Sequence, residues 1–202
     1  MTPAETAPPE KPPPEKTPRN QHTLEETAAQ RKAPEGLRLL VLDVDGVLTD
    51  GGLHYGPGEV EIKRFHTRDG LAVKAAPGAG LRVGILTARS SEAVARRAAE
   101  LGVDLVCQGS PDKKRDFRRL LTAAGVRAAD CAFMGDDLPD LAAMGQAGYR
   151  IAPADAAAEV RAVADLVTEA RAAGAPSAKP SRPCSRPAAP GAASWTPSAD
   201  AG

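Results

Sequence analysis

Residues 39–50, LLVLDVDGVLTD, decide how the rest of the chain is read. From Leu37 to Leu42 the run is apolar apart from Arg38, the pattern of a buried strand. It ends in Asp43 and Asp45, one residue apart, followed by Gly46. Side chains two apart on a strand share a face, so both carboxylates are expected to project the same way from the strand's carboxyl end. Gly46 lets the backbone turn sharply and come close to whatever those carboxylates hold. Two bare acids at the end of an apolar strand would repel each other and suffer desolvation. Either a cation lies between them, or one is protonated and works as an acid.

Around this stretch the prolines mark out the domain. Of 19 prolines, eight fall in residues 1–35 and six in 175–202, which leaves five for the 139 residues between. Both ends also lack apolar periodicity, so 1–35 and 175–202 read as disordered Pro-rich tails flanking one domain, 36–174. Lys plus Arg equals Asp plus Glu at 26 each, so the charge balance offers no argument for nucleic acid or an anionic membrane as partner. No apolar run approaches the length needed to span a bilayer, and the first residues, MTPAETAPPEKPPPEK, have no apolar core of a secretory signal. Cys107, Cys131 and Cys184 show no metal or redox spacing. The expectation is a cytoplasmic protein.

Downstream, Leu53–Tyr55 and Val60–Phe65 flank Gly56-Pro57-Gly58, the signal of a β-hairpin too small to be a lid domain. A helical pattern runs from Gly70 to about Ala76, and a second buried strand, Leu81 to Leu86, ends in Thr87-Ala88-Arg89. Ser90 is a candidate cap for a helix with Val94, Ala98 and Leu101 on one face. A third strand over Val103 to Cys107 leads to Ser110-Pro111, a candidate cap and first helical position for a helix burying Phe117, Leu120, Leu121 and Ala124. A fourth strand, Cys131 to Met134, ends in Gly135-Asp136-Asp137-Leu138-Pro139-Asp140, and shorter elements continue to about Thr168. Strands alternating with helices predict an α/β fold, a Rossmann-like parallel sheet with helices on both faces. Ligands bind such sheets at the carboxyl ends of their strands. One crevice could therefore collect Asp43, Asp45, Thr87, Lys113, Asp136, Asp137 and Asp140.

Several carboxylates without partners call for a hard divalent cation bound by oxygens, and Mg²⁺ fits, since it accepts few carboxylates alongside waters and a phosphate. No His and Cys set suited to zinc lies nearby. Lys113 and Lys114 open a helix against its dipole, which gives at least one of them another reason to be there. A phosphate supplies that reason, held by the helix end, Thr87 and an ammonium. An aspartate can then attack phosphorus, and a second can protonate the leaving oxygen and later activate water. Taken singly, D-x-D is a capped loop, Thr87 a capping hydroxyl, Lys113 a solvated lysine and G-D-D-x-x-D a surface turn. Together and in this order, each after its own strand, they form one constellation.

That constellation resembles the four motifs of the haloacid dehalogenase superfamily. Within it, the hairpin with F-H-T-R-D-G (65–70), T-A-R (87–89), Q-G-S-P-D-K (108–113) and M-G-D-D-L-P-D (134–140) is similar to the capless phosphatases of 3-deoxy-D-manno-octulosonate 8-phosphate. The resemblance implies the fold of that superfamily with a hairpin insertion in place of a cap domain. It makes Asp43 the nucleophile that becomes an aspartyl-phosphate, and Asp45 the general acid/base. It assigns Mg²⁺ to Asp43, the backbone carbonyl of Asp45, and Asp136. It gives the phosphoryl group to Thr87 and Lys113, with Asp137 and Asp140 in support, and it implies a homotetramer in which hairpins pack together. Arg68 and Arg89 are candidates for a sugar carboxylate, because guanidinium and carboxylate pair in a bidentate fork. Two departures stand out: Ala88 where the family has glycine, and the run EARAAGAPSAKPSRPCSRP after Thr168 where it has G-G-x-G-A-x-R-E and a final helix.

A phosphatase of a nine-carbon sugar acid phosphate is the nearest alternative, separated only through Arg89. A phosphoaspartate receiver module is a different class, but it carries its aspartate after a middle strand, whereas D-x-D here follows the first. An inactive scaffold would be missing a catalytic position, and none is missing.

Overall fold

The computed structural model describes residues 31–174. At its centre lies a six-stranded parallel sheet in the order β5-β4-β1-β6-β7-β8. Its strands are β1 (Leu39–Leu42), β4 (Arg82–Leu86), β5 (Leu105–Cys107), β6 (Cys131–Met134), β7 (Tyr149–Ala152) and β8 (Leu166–Val167). The hairpin is a separate antiparallel pair, β2 (His54–Tyr55) and β3 (Glu61–Ile62), with Tyr55 opposite Glu61. The helices are α1 (Thr67–Ala75), α2 (Glu92–Leu101), α3 (Lys113–Ala124), α4 (Leu141–Met144) and α5 (Ala158–Val163). The sheet and its helices are those the strand–helix alternation predicts.

The alternation of β1 divides the core. Leu39 and Val41 face one side with Phe117, Phe133, Met144 and Val160, beneath α3, α4 and α5. Leu42 faces the other with Val73, Val83, Ile85, Val94 and Leu101, beneath α1 and α2. Phe117 and Phe133 meet edge-to-face with ring centroids 5.5 Å apart, and both are fully buried. Each such side chain contributes about 2–3 kcal/mol by leaving water, which fixes α3 against β6 and hence the position of the helix's first residue, Lys113.

The helix starts differ from the expected ones. Helix α2 begins after Ser91, not Ser90, and no side-chain cap bond forms there; the Ser91 N–H donates to Gln108 Oε1 at 2.8 Å. For α3 the cap is Asp112, whose carboxylate accepts the Arg115 N–H at 3.0 Å. Ser110, the expected cap, donates its hydroxyl to buried Asp116 at 2.8 Å instead. Arg115, Ser110 and Arg119 together hold the Asp116 carboxyl at about 2, well below the ordinary range. Helix α1 starts at Thr67, earlier than expected, because His66 caps it by accepting the Arg68 N–H.

Arg31 already docks on the domain: its N–H donates to Asp165 O at 2.9 Å, and Tyr149 donates its hydroxyl to Arg31 O at 2.6 Å. Residues 1–30 and 175–202, where most of the sequence-predicted tails and Cys184 fall, lie outside the described residues. Among the described residues no helix is long and apolar enough to cross a membrane.

Candidate active site

Asp43 directly follows β1 and continues its ladder, its N–H donating to Met134 O at 3.0 Å. The chain then turns: the N–H groups of Val47, Leu48 and Thr49 all point at Val44 O, joined by the Thr49 hydroxyl at 3.2 Å. Gly46 takes φ +85°, and a Cβ there would run into the Asp136 carboxylate, so this glycine lets the turn lie against the acidic loop after β6. Because β1 ends at Leu42, the two-residue alternation no longer governs Asp45. The two carboxylates meet different cations. Asp43 Oδ1 lies 3.0 Å from Lys113 Nζ, whereas Asp45 takes a short hydrogen bond from Lys63 and lies 3.8 Å from Arg89.

Lys113 opens α3 with its side chain only 5% exposed, donating to Asp140 Oδ1 at 2.6 Å. Burial works against its ammonium, but Asp43 and Asp140 outweigh that and raise its pKa above the ordinary value. Asp140 is the best-satisfied acid of the three. Its other oxygen accepts the N–H groups of Asp136 and Asp137 at 3.1 and 3.3 Å, and Gly135 has no Cβ to obstruct it. Asp137 is exposed and caps the short turn Leu138–Asp140 by accepting the Leu138 N–H at 2.8 Å. Asp43 and Asp136 are the acids left wanting. Among the described residues, Asp136 Oδ1 is buried without a hydrogen-bond partner, and Asp43 Oδ1 has no aligned one despite the nearby ammonium. Burial first, then Asp140, pushes the Asp43 carboxyl up to about 6. Burial first, then Asp43, pushes Asp136 up to about 7.

Oxygens of Asp43, Asp136 and Asp140 all lie within 4.8 Å of one another. Three carboxylates against the single Lys113 ammonium leave two negative charges, the deficit a divalent cation would cancel. The donors are all oxygen, and the two with unmet need face the same space, so the residues fit Mg²⁺.

Thr87 follows β4 and is buried, its N–H bonded to Cys107 O and its hydroxyl accepting the Arg89 N–H at 3.4 Å. Arg89 is spoken for within the chain, donating to Glu61 at 2.8 Å and to the Tyr55 hydroxyl at 3.4 Å. Arg68 lies exposed in the first turn of α1. Lys63 and Glu61 were not among the sequence candidates. The signal was the Glu61-Ile62-Lys63 alternation on the hairpin, which puts both charges on one face.

Aspartates after the first and fourth strands of the sheet in chain order, a threonine after the second and a lysine opening α3 are the layout of one class of hydrolase. The family profile for haloacid dehalogenase-like hydrolases matches residues 60–148, and the chain belongs to that family. The chain is 41% identical over 133 residues to the 3-deoxy-D-manno-octulosonate 8-phosphate phosphatase of Haemophilus influenzae, covering 66% of this chain and 74% of the relative. With the Escherichia coli K12 enzyme of the same name it shares 39% over 134 residues, or 66% and 71% of the two chains. The crystal structure of the Moraxella catarrhalis phosphatase in complex with magnesium, phosphate and KDO superposes with a TM-score of 0.66 at 38% identity, over 68% of this chain and 79% of that one.

Proposed function

We propose that this chain is a Mg²⁺-dependent phosphomonoesterase acting on a sugar-acid phosphate, 3-deoxy-D-manno-octulosonate 8-phosphate, and releasing 3-deoxy-D-manno-octulosonate and phosphate. The observation that carries this reading is the pair Asp43 and Asp136: a buried and a half-buried acid close together, each with a buried unmet oxygen and a raised pKa that a divalent cation would relieve. The names of relatives sharing about 40% of their residues supply the substrate.

In this reading Asp43, the Asp45 carbonyl and Asp136 hold Mg²⁺, which when bound offsets the charge of the phosphoryl oxygens. Asp43 attacks phosphorus and the ester bond breaks. Asp45 gives its proton to the leaving sugar oxygen, then takes one from the water that hydrolyses the aspartyl-phosphate. Thr87 and Lys113 hold phosphoryl oxygens, and Lys113 also keeps Asp43 ionised for attack. Asp140 anchors Lys113 and the backbone of the acidic loop, and Asp137 caps that loop. Arg89 and Arg68 meet the sugar's carboxylate, Arg89 by exchanging its bond to Glu61 for one to substrate.

A homotetramer in the cytoplasm completes the reading. Leu53, Tyr55, Val60 and Ile62 of the hairpin are each about half exposed or more, an apolar surface suited to other copies of itself. The test of substrate is phosphate release across a panel of sugar phosphates with Mg²⁺. The eight-carbon sugar acid phosphate should give the highest kcat/KM; a clear preference for a nine-carbon acid or for neutral sugars would replace it.

A further inference from the structure

Lys63 follows β3 and carries its ammonium into the protein: its side chain is 1% exposed. Nζ donates a short hydrogen bond to Asp45 Oδ1 and lies 3.4 Å from Glu61 Oε1. Arg89 bridges the same two acids, donating to Glu61 Oε1 at 2.8 Å and approaching Asp45 Oδ2 at 3.8 Å, beyond hydrogen-bond reach. Two cations and two carboxylates therefore alternate across the hairpin (Glu61, Lys63), the turn after β1 (Asp45) and the loop after β4 (Arg89). An ammonium is kept at such burial only where it is paired, and removing one partner of a buried pair leaves the other uncompensated. A lysine that merely decorated a hairpin would leave its head in water.

Asp45 lies on a turn, where its carboxylate has no strand alternation to fix it. The bond from Lys63 takes Oδ1 and leaves Oδ2, among the described residues, as the oxygen without a hydrogen bond. We infer that Lys63 is a positioning residue for Asp45, through which the hairpin holds the proton-transfer group in place. The hairpin then builds part of the site, in addition to shielding it. This inference rests on the phosphatase reading above, in which Asp45 passes a proton to the leaving oxygen.

The step has a specific signature. A sugar alkoxide leaves only if it collects a proton, whereas 2,4-dinitrophenolate leaves without one, and kcat/KM reports the chemistry up to departure of that group. Lys63→Met should lower kcat/KM for 3-deoxy-D-manno-octulosonate 8-phosphate at least tenfold more than for 2,4-dinitrophenyl phosphate, a fraction of the roughly 10²–10⁴-fold that a positioned acid supplies. Lys63→Arg should recover part of the difference. In an Asp45→Asn background, Lys63→Met should alter the ratio of the two esters no further, since the residues act as a unit. If Lys63→Met does not fold, Lys63→Gln removes the charge at similar length and yields the same ratio. Equal losses on both esters, or additive effects with Asp45→Asn, would overturn the inference alone. A wild-type protein inactive on both esters would overturn the phosphatase reading and the inference with it.

Discussion

Lys113 Nζ stands 3.0 Å from Asp43 Oδ1, although 70 residues of chain separate the end of β1 from the start of α3. The contact exists because Phe117, four residues into α3, is locked against Phe133 of β6, the strand beside β1. Packing in the core thus sets the distance between a carboxylate and an ammonium buried at the carboxyl end of the sheet.

That dependence makes Lys113→Met informative. It removes the cation between Asp43 and Asp140 while keeping the apolar stem, leaving two buried carboxylates facing each other. The expected cost is about 3–5 kcal/mol of stability. Urea denaturation at pH 8 without Mg²⁺ measures it, and a change under about 0.5 kcal/mol would contradict the pairing.

Gly46→Ala should act on the metal without replacing a ligand, by displacing the Asp136 carboxylate. A methyl at φ +85° is strained, and it would drive into the Asp136 carboxylate. Displacement of a supporting contact of this kind lowers metal affinity about 10–100-fold. Titration calorimetry with Mg²⁺ reads the shift; an unchanged affinity would mean that Asp136 does not hold the ion.

Metal-free protein should lose stability as pH rises. Asp43 and Asp136 have folded pKa values of about 6 and about 7, against 3.8 for an ordinary Asp. Folding therefore binds protons at these two groups, and the stability that they contribute in protonated form is present below pH 3.8 and is lost as pH rises through 6 to 7. Mg²⁺ binds the ionised forms, so its benefit grows over the same window. At one hundred times its dissociation constant Mg²⁺ adds about 2.7 kcal/mol, or roughly 5–10 °C in Tm for a chain of this size. Thermal melts with EDTA or Mg²⁺ at pH 5 and pH 8 should show the larger increment at pH 8, and equal increments would contradict the assignment.

The sequence was legible where one rule governs one residue. Asp43, Thr87 and Asp136 follow strands, and Lys113 opens a helix after one, so the rule that parallel sheets gather their functional groups at strand ends locates all four. The partners of Asp45 were not legible, because Lys63 of the hairpin and Arg89 after β4 reach it only in the folded chain. The caps were blurred for another reason: Ser90 or Ser91, and Ser110 or Asp112, each offer a capping oxygen within two residues, and tertiary bonds to Gln108 and Asp116 decide between them. Lys63 and Glu61 escaped notice because their partners come from elsewhere in the chain and meet them only once the hairpin folds over the site.

The central claim is that Asp43 is the atom donor to phosphorus. Its most direct test is Asp43→Asn, assayed for phosphate release from 3-deoxy-D-manno-octulosonate 8-phosphate with Mg²⁺, alongside a thermal melt to verify folding. The amide is nearly isosteric and relieves both the burial of a charge and the repulsion with Asp140, so in EDTA the variant should melt no lower than the metal-free wild type. Turnover should fall at least about 10⁴-fold, as loss of a covalent nucleophile demands. Turnover within tenfold of wild type in a folded Asp43→Asn protein would contradict the account.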